Sequence, residues 1–179
     1  MAGNLKREDR IIMAEFTVII KNQELKFKTN KMVFSPEALD LGTAAMLSVA
    51  EFFPGDKVLD LGCGYGSVGI LAAKFIDPSR VVLCDISEDA VQLARANAAQ
   101  NGGMEVMRIL KSDGFSNIPD KDFTKIFSNP PYHTDFSVAK KFIEDGFWHL
   151  VTGGIMYMVT KRREWYKNKL IAVFGGVHI

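Results

Sequence analysis

The stretch "KVLDLGCGYGSVGILAAKFI", residues 57–76, does most to limit what this 179-residue chain can fold into. "KVLDLGCG" is a short apolar run that ends in glycines, as a strand buried on both faces of a parallel sheet does. "GSVGILAAKFI" then switches to helical spacing, with Val68, Leu71, Ala72 and Phe75 on one face. The same switch repeats downstream. "RVVLCDIS" reads as a second strand. "EDAVQLARANAAQNGG" reads as a helix capped by Ser87, with Glu88 and Asp89 at its positive end and Gly102 or Gly103 closing it. "EVMRILKSD", "FTKIFSNPP" and "GIMYMVTK" supply three more strands. "DFSVAKKFIEDGFWHL" is a helix between the last two, with Val138, Phe142, Ile143 and Phe147 on one stripe. Strands alternating with helices mean βαβ units. The predicted fold class is therefore α/β: a Rossmann-like, doubly wound, mostly parallel sheet with helices on both faces.

The first third of the chain follows another pattern. "EFTVIIKNQELKFKTNKMVFS" holds two β-like runs around "KNQE", a hairpin signal. Residues 1–34 are thus predicted to form an N-terminal β-hairpin extension to a domain over 35–179, with "GTAAMLSVAEFF" as the joining helix. A net charge of +1 argues against gripping nucleic acid through bulk charge. Local basic clusters, notably Lys161, Arg162, Arg163, Lys167 and Lys169, read first as solvated faces diluted by acids such as Glu164. The two cysteines, Cys63 and Cys84, fall in apolar runs without metal-ligand spacing, so they predict buried thiols in a reducing compartment and no metal. The start lacks the apolar core of a signal peptide, and no apolar run nears the ~20 residues of a membrane span. A cytoplasmic location and no membrane partner are expected.

Gly62, Gly64 and Gly66 lie between the first core strand and its helix, where glycine allows a sharp turn and close approach of a ligand to the main chain. The same glycines could serve packing alone. Their spacing departs from the dinucleotide pattern, and Asp60 at the mouth of the turn would repel a pyrophosphate while welcoming a cationic amino-acid group. Asp85 ends the second strand and can accept two ribose hydroxyls; Asp113 ends the third, where an adenine ring could lie. Each acid alone could be a surface or capping carboxylate. Three at successive strand ends mark the sheet edge where open α/β folds bind ligands. Pro130 and Pro131 stop the fourth strand between Asn129 and Tyr132, because proline cannot donate to a ladder.

These residues resemble the class I S-adenosylmethionine-dependent methyltransferases over nearly the whole chain. "VLDLGCGYGSVG" looks like that superfamily's first motif. The resemblance implies S-adenosyl-L-methionine as cofactor, with Asp60, Gly62, Gly64 and Gly66 around it, Asp85 and Ile86 at the ribose, and Asp113 and Gly114 on the adenine side. "NPPY" is similar to the tetrapeptide of amino-methyltransferases that act on adenine, guanine or glutamine amides. There the Asn129 oxygen and the Pro130 carbonyl would accept hydrogen bonds from a planar amine, Pro131 would stiffen the loop and Tyr132 would stack on the base or amide plane. His133 reads as a polar contact more readily than as a base. "NPPYH" looks closer to the "NPPFH" of ribosomal RNA guanine amino-methyltransferases. "MVFSPEALDLGTAAML" is similar to the "FSxxxLDxGTxLLL" of the small methyltransferase domain family, which implies that Asp40, Gly42 and Thr43 line the cofactor pocket; the same stretch suits an ordinary helix start.

The implied activity is methylation of the exocyclic amine of a guanine, with ribosomal RNA as partner, the base flipped out or single stranded. Two alternatives stand beside it: a glutamine amide in a protein, and a non-catalytic recognition module. Phe34 and Tyr65 read as stacking, lid or core residues. In this fold the last helix, "REWYKNKLIAVFG", is followed by an antiparallel hairpin. That hairpin is expected to be truncated at "GGVHI", leaving an exposed edge near the fifth strand or one filled by a partner.

Overall fold

The computed structural model describes residues 14–30, 38–102, 106–131 and 136–179. An antiparallel hairpin, β1 (Ala14–Ile20) and β2 (Gln23–Thr29), precedes α1 (Leu41–Val49). Then follow β3 (Val58–Leu61), α2 (Ser67–Ala72), β4 (Val81–Asp85), α3 (Glu88–Gln100), β5 (Arg108–Lys111), β6 (Phe123–Ser128), α4 (Phe136–His149), β7 (Leu150–Met158) and α5 (Arg163–Phe174). The five core strands lie in the order β5-β4-β3-β6-β7, and every neighbouring pair is parallel. The chain therefore runs outward from β3 through β4 to β5, then crosses back to β6 on the other side. That reversal at β3 opens a crevice at the carboxyl ends of β3 and β6, the switch point of such sheets.

Burial explains why the core strands lack alternation. All four residues of β3 are buried, as are the first four of β4, because both sheet faces are covered. One cluster joins Leu47, Val58, Ile70, Leu71, Leu83, Ala94 and Phe127; another, across the sheet, joins Leu59, Leu61, Phe115, Ile126 and Phe142. Each large apolar side chain so buried contributes about 1.5–3 kcal/mol. The helix α2 is shorter than its periodic sequence suggests. It ends at Ala72, is buried on all sides, and leaves Phe75 to stack on Phe52 at 5.7 Å.

The hairpin shares the core. Leu25 and Phe27 of β2 are fully buried in the first cluster, and Phe16 and Phe27 pack on Tyr65 of the glycine turn at 5.9 and 5.3 Å. Its turn is two residues, Lys21 and Asn22, both at positive φ, so Gln23 and Glu24 already belong to the strand. The outer edge of β2 is closed by a helix. Asn97 Oδ1 accepts from Lys28 N–H and its Nδ2 donates to Lys28 O, while Asn101 makes the same pair of bonds with Lys26. Two strand residues advance ~6.7 Å and one i→i+4 step of a helix ~6.0 Å. The two amides thus stand in for a neighbouring strand and remove an exposed edge.

On the other side, α4 buries Ala139, Phe142, Ile143 and Gly146, an i, i+3, i+4, i+7 stripe. Phe147 falls outside it: the ring is 41% exposed and packs edge-on against Phe174 of α5. At the amino end of the sheet, Lys125 and Asp56 form a buried ion pair, with Asp56 also accepting from Phe53 N–H and the Thr124 hydroxyl. Among the described residues β7 is an edge strand, with Val151 and Ile155 exposed. No helix of the described residues is long and apolar enough to cross a membrane.

Candidate functional site

The carboxyl edge of the sheet carries the site, and strand order sets the order of its parts. Leu61 of β3 pairs with Cys84 on one side and Ser128 on the other. Gly62, Asp85 and Asn129 are the next residues on three adjacent strands, so they stand abreast, ~4.8 Å per strand. Ser128 Oγ donates to Leu61 O at 2.9 Å and ties the two strand ends together.

After β3 the chain turns through Gly62, Gly64 and Gly66, all at positive φ. Gly62 N–H and Cys63 N–H both donate to Cys84 O at 2.9 Å. A Cβ at Gly62 or Gly64 would meet nothing within 4 Å, so these positions border open space and need glycine for backbone angle rather than for packing. Gly69, inside α2, is the opposite case: a Cβ there would come 2.5 Å from Leu83 Cγ, so its absence lets the helix lie directly on β4.

Asp85 braces the turn. Its Oδ2 accepts from Gly64 N–H and its Oδ1 from Ser87 N–H, each at 2.9 Å. Beside it Ile86 is 64% exposed, an apolar side chain turned outward at the ligand edge. Farther out, Asp113 is exposed with Lys141 Nζ at 3.9 Å, and Gly114 O accepts from Ser112 Oγ at 2.7 Å. Asp60 is buried beneath the turn, where its Oδ2 accepts from Gly69 N–H at 2.9 Å. Burial pushes its carboxyl up to about 7; the Gly69 N–H pulls the other way, and the charge of Asp85 adds to the rise. Burial also raises both thiols, Cys63 and Cys84, well above the usual range, which makes them inert packing groups.

Across the crevice, Asn129 leaves β6 ahead of the buried Pro130 and the exposed Pro131. Its Nδ2 donates to Asp40 Oδ2 at 2.9 Å and to Thr43 Oγ1 at 3.0 Å. The Asp40 carboxylate can only accept, so the amide orientation is decided chemically: nitrogen toward Asp40, oxygen on the other side. The same Asp40 caps α1, accepting from Thr43 N–H at 2.9 Å and from the Thr43 hydroxyl at 3.3 Å. A helix start 86 to 89 residues away thus locks the amide of the tetrapeptide. Tyr132, His133 and Phe34 lie outside the described residues.

Residues 24–179 match the family model described as "Methyltransferase small domain". The chain belongs to the methyltransferase small domain family. Among curated relatives, the ribosomal RNA small subunit methyltransferase C of Cronobacter sakazakii is 36% identical over 157 residues, covering 86% of this chain and 45% of the relative. An uncharacterized protein of Bacillus subtilis, YbxB, is 31% identical over 147 residues, covering 81% of this chain and 73% of the relative. A solved 16S rRNA N2 methyltransferase from T. thermophilus, in complex with AdoMet and guanosine, shares the fold with a TM-score of 0.81 at 24% identity, over 91% of this chain and 46% of that one. This small domain thus spans about half the length of the methyltransferase C relatives it matches.

Within this small methyltransferase domain, some residues that shape the site carry no motif. Tyr65 is buried against the hairpin, so it is a core residue. Its carbonyl accepts from Nδ2 of Asn97 at 2.9 Å, which ties the glycine turn to the hairpin through α3. The one sequence signal for Asn97 is its position, a polar residue on the apolar face of a predicted helix. Ser112 and Ser128 likewise hide in strand ends as ordinary small residues.

Proposed function

We propose that the chain is an S-adenosylmethionine-dependent amino-methyltransferase that methylates the exocyclic amine of a guanine in ribosomal RNA. One observation carries the reading: Asn129, abreast of Gly62 on the neighbouring strand, has its amide nitrogen held by Asp40 and Thr43, so its oxygen faces the other way.

The residues present fit the cofactor. Gly62 and Gly64 offer open main chain, Asp85 offers carboxylate lone pairs suited to a ribose diol, and exposed Ile86 offers an apolar face for an adenine. Thr43, beside Asn129, borders the end where a cationic amino-acid group would lie; Asp60, expected at the mouth of the turn, is instead buried beneath it, and Asp113 with Gly114 borders the adenine side. When bound, S-adenosylmethionine supplies an electrophilic methyl group on a cationic sulfur.

The chain's own residues position the nitrogen. Asn129 Oδ1 accepts an N–H of a planar amine, and the Pro130 carbonyl, rigid because the ring fixes φ, serves as a second acceptor. Both acceptors face a nitrogen that gains positive charge as it is methylated, so they help most in the transition state. The Asp40 carboxylate behind the amide adds negative charge in the same direction. Ribosomal RNA as the substrate is supported by the relatives named above.

Methyl transfer from labelled cofactor tests the reading, offered to an unmodified small-subunit rRNA transcript and to a protein with exposed glutamines. Label on guanine N2 after nuclease digestion is the expected result. Label in protein alone overturns the substrate, and no transfer to either overturns the activity.

A further inference from the structure

The proposed reaction uses the cleft between β3 and β6 but leaves unexplained the basic triplet Lys161, Arg162 and Arg163, all exposed just beyond β7. The sheet register places it. Ser128 pairs with Met158, and Val159 N–H donates to Ser128 O at 3.0 Å, so residues 159 and 160 stand abreast of Asn129 and Pro130 on the neighbouring strand. The triplet follows at once, on the same edge as the amide.

The segment is built rather than loose. Thr160 Oγ1 accepts from Arg162 N–H at 2.9 Å and also bonds the hydroxyl of the buried Tyr166. The Arg162 guanidinium lies 4.8 Å over the ring of Phe136, which on its own part stacks on Trp165 at 4.3 Å and 20°. A guanidinium held over a ring face is positioned by the cation–π attraction while its N–H groups remain available as donors. Phe136 is the first residue of α4, only a few positions after Pro131.

Charge is divided along this edge. The ends of β4 and β5 carry Asp85 and Asp113, whereas the end of β7 carries three cations with Glu164 as the nearest acid in sequence. The β7 end thus gathers successive cations that suit a polyanion, in a chain whose net charge is only +1. Resting on the reading of the site as an RNA methyltransferase, we propose that Lys161, Arg162 and Arg163 form a phosphate track that holds the single strand flanking the target base. Arg162 is its fixed clamp, and Lys161 and Arg163 add contacts on either side.

The test leaves Arg162 and its stack intact. Binding of a fluorescein-labelled single-stranded RNA from the rRNA substrate is followed by anisotropy between 50 and 300 mM KCl, for the full chain and for Lys161→Ala/Arg163→Ala. Each lost phosphate contact lowers the slope of log K against log salt by about 0.7 for a single strand. The double variant should lose about 1.4 in slope and roughly tenfold in affinity near 0.15 M salt. Its KM for RNA should rise with kcat and S-adenosylmethionine affinity unchanged. Lys121→Glu makes the same change in net charge just before β6, at the opposite edge of the sheet, and should leave the slope alone. An unchanged slope and affinity in the double variant, with wild type active on RNA, overturns the track and spares the functional reading. An equal loss in Lys121→Glu also overturns it, because overall charge would then explain the effect. Wild type that methylates no RNA overturns the reading itself, and the track with it.

Discussion

Asp40→Ala removes the group that decides which way the Asn129 amide faces. A hydrogen bond to a charged acceptor contributes about 1.5–3 kcal/mol, so the carboxylate biases the amide toward one orientation by roughly 10- to 150-fold. Thr43 Oγ1 cannot replace it, because a hydroxyl donates or accepts and so tolerates either orientation. Without Asp40 the reaction itself must supply the fixing energy, and at the lower figure kcat falls about tenfold. The ceiling is the loss of Asn129, roughly 10²–10³. A double-mutant cycle isolates the coupling: in an Asn129→Ala background, Asp40→Ala should change kcat less than about twofold. Asp40→Ala also removes the cap of α1, about 1 kcal/mol of stability, so the kinetics belong well below the melting temperature. Rate losses that multiply across the two variants would refute the reasoning. So would a raised Kd for the cofactor with kcat intact, since Asp40 would then serve the cofactor and not the amide.

Three further outcomes follow from the same structure. The Asp60 carboxyl sits near 7 in the folded chain and near its ordinary value when unfolded, so the folded chain holds the extra proton between about pH 4 and 7 and stability falls as pH rises through that window. Asp60→Asn should flatten that fall by roughly 3–4 kcal/mol between pH 4 and 8 in urea unfolding; an identical pH dependence would contradict the shift. Gly69→Ala drives a methyl into Leu83 and should destabilise by about 1–3 kcal/mol while weakening cofactor binding, because α2 follows the glycine turn; full stability in a thermal melt would show that β4 yields. Asp56→Ala strands the buried Lys125 ammonium and should cost about 3–5 kcal/mol, whereas replacing both by apolar residues should be far milder; equal losses would mean that the pair itself is the source of stability.

The core was legible because its signals are local. Apolar runs closed by glycines announce strands buried on both faces, and Ser87, Glu88 and Asp89 announce a helix start that the structure reproduces at Glu88. Hairpin detail was less legible: "KNQE" marks a turn, but only positive φ at Lys21 and Asn22 makes it two residues long. The stripe in α4 misplaced Phe147, since apolar spacing does not reveal that the small Ala139 and Gly146 are the buried positions and that Phe174 packs beside the exposed ring. The bond from Asn129 to Asp40 was beyond local reasoning altogether. It joins two residues 89 apart that only the sheet crossover brings together. The Lys125–Asp56 pair is invisible for the same reason, its lysine lying inside an apolar strand.

The most direct measurement is a crystal structure of the chain with S-adenosylhomocysteine and guanosine. Guanine N2 should donate to Asn129 Oδ1 at about 2.9 Å, with Nδ2 still on Asp40 and the base plane facing the sulfur. A guanosine bound elsewhere, or an amide turned so that its nitrogen meets the base, would contradict the account.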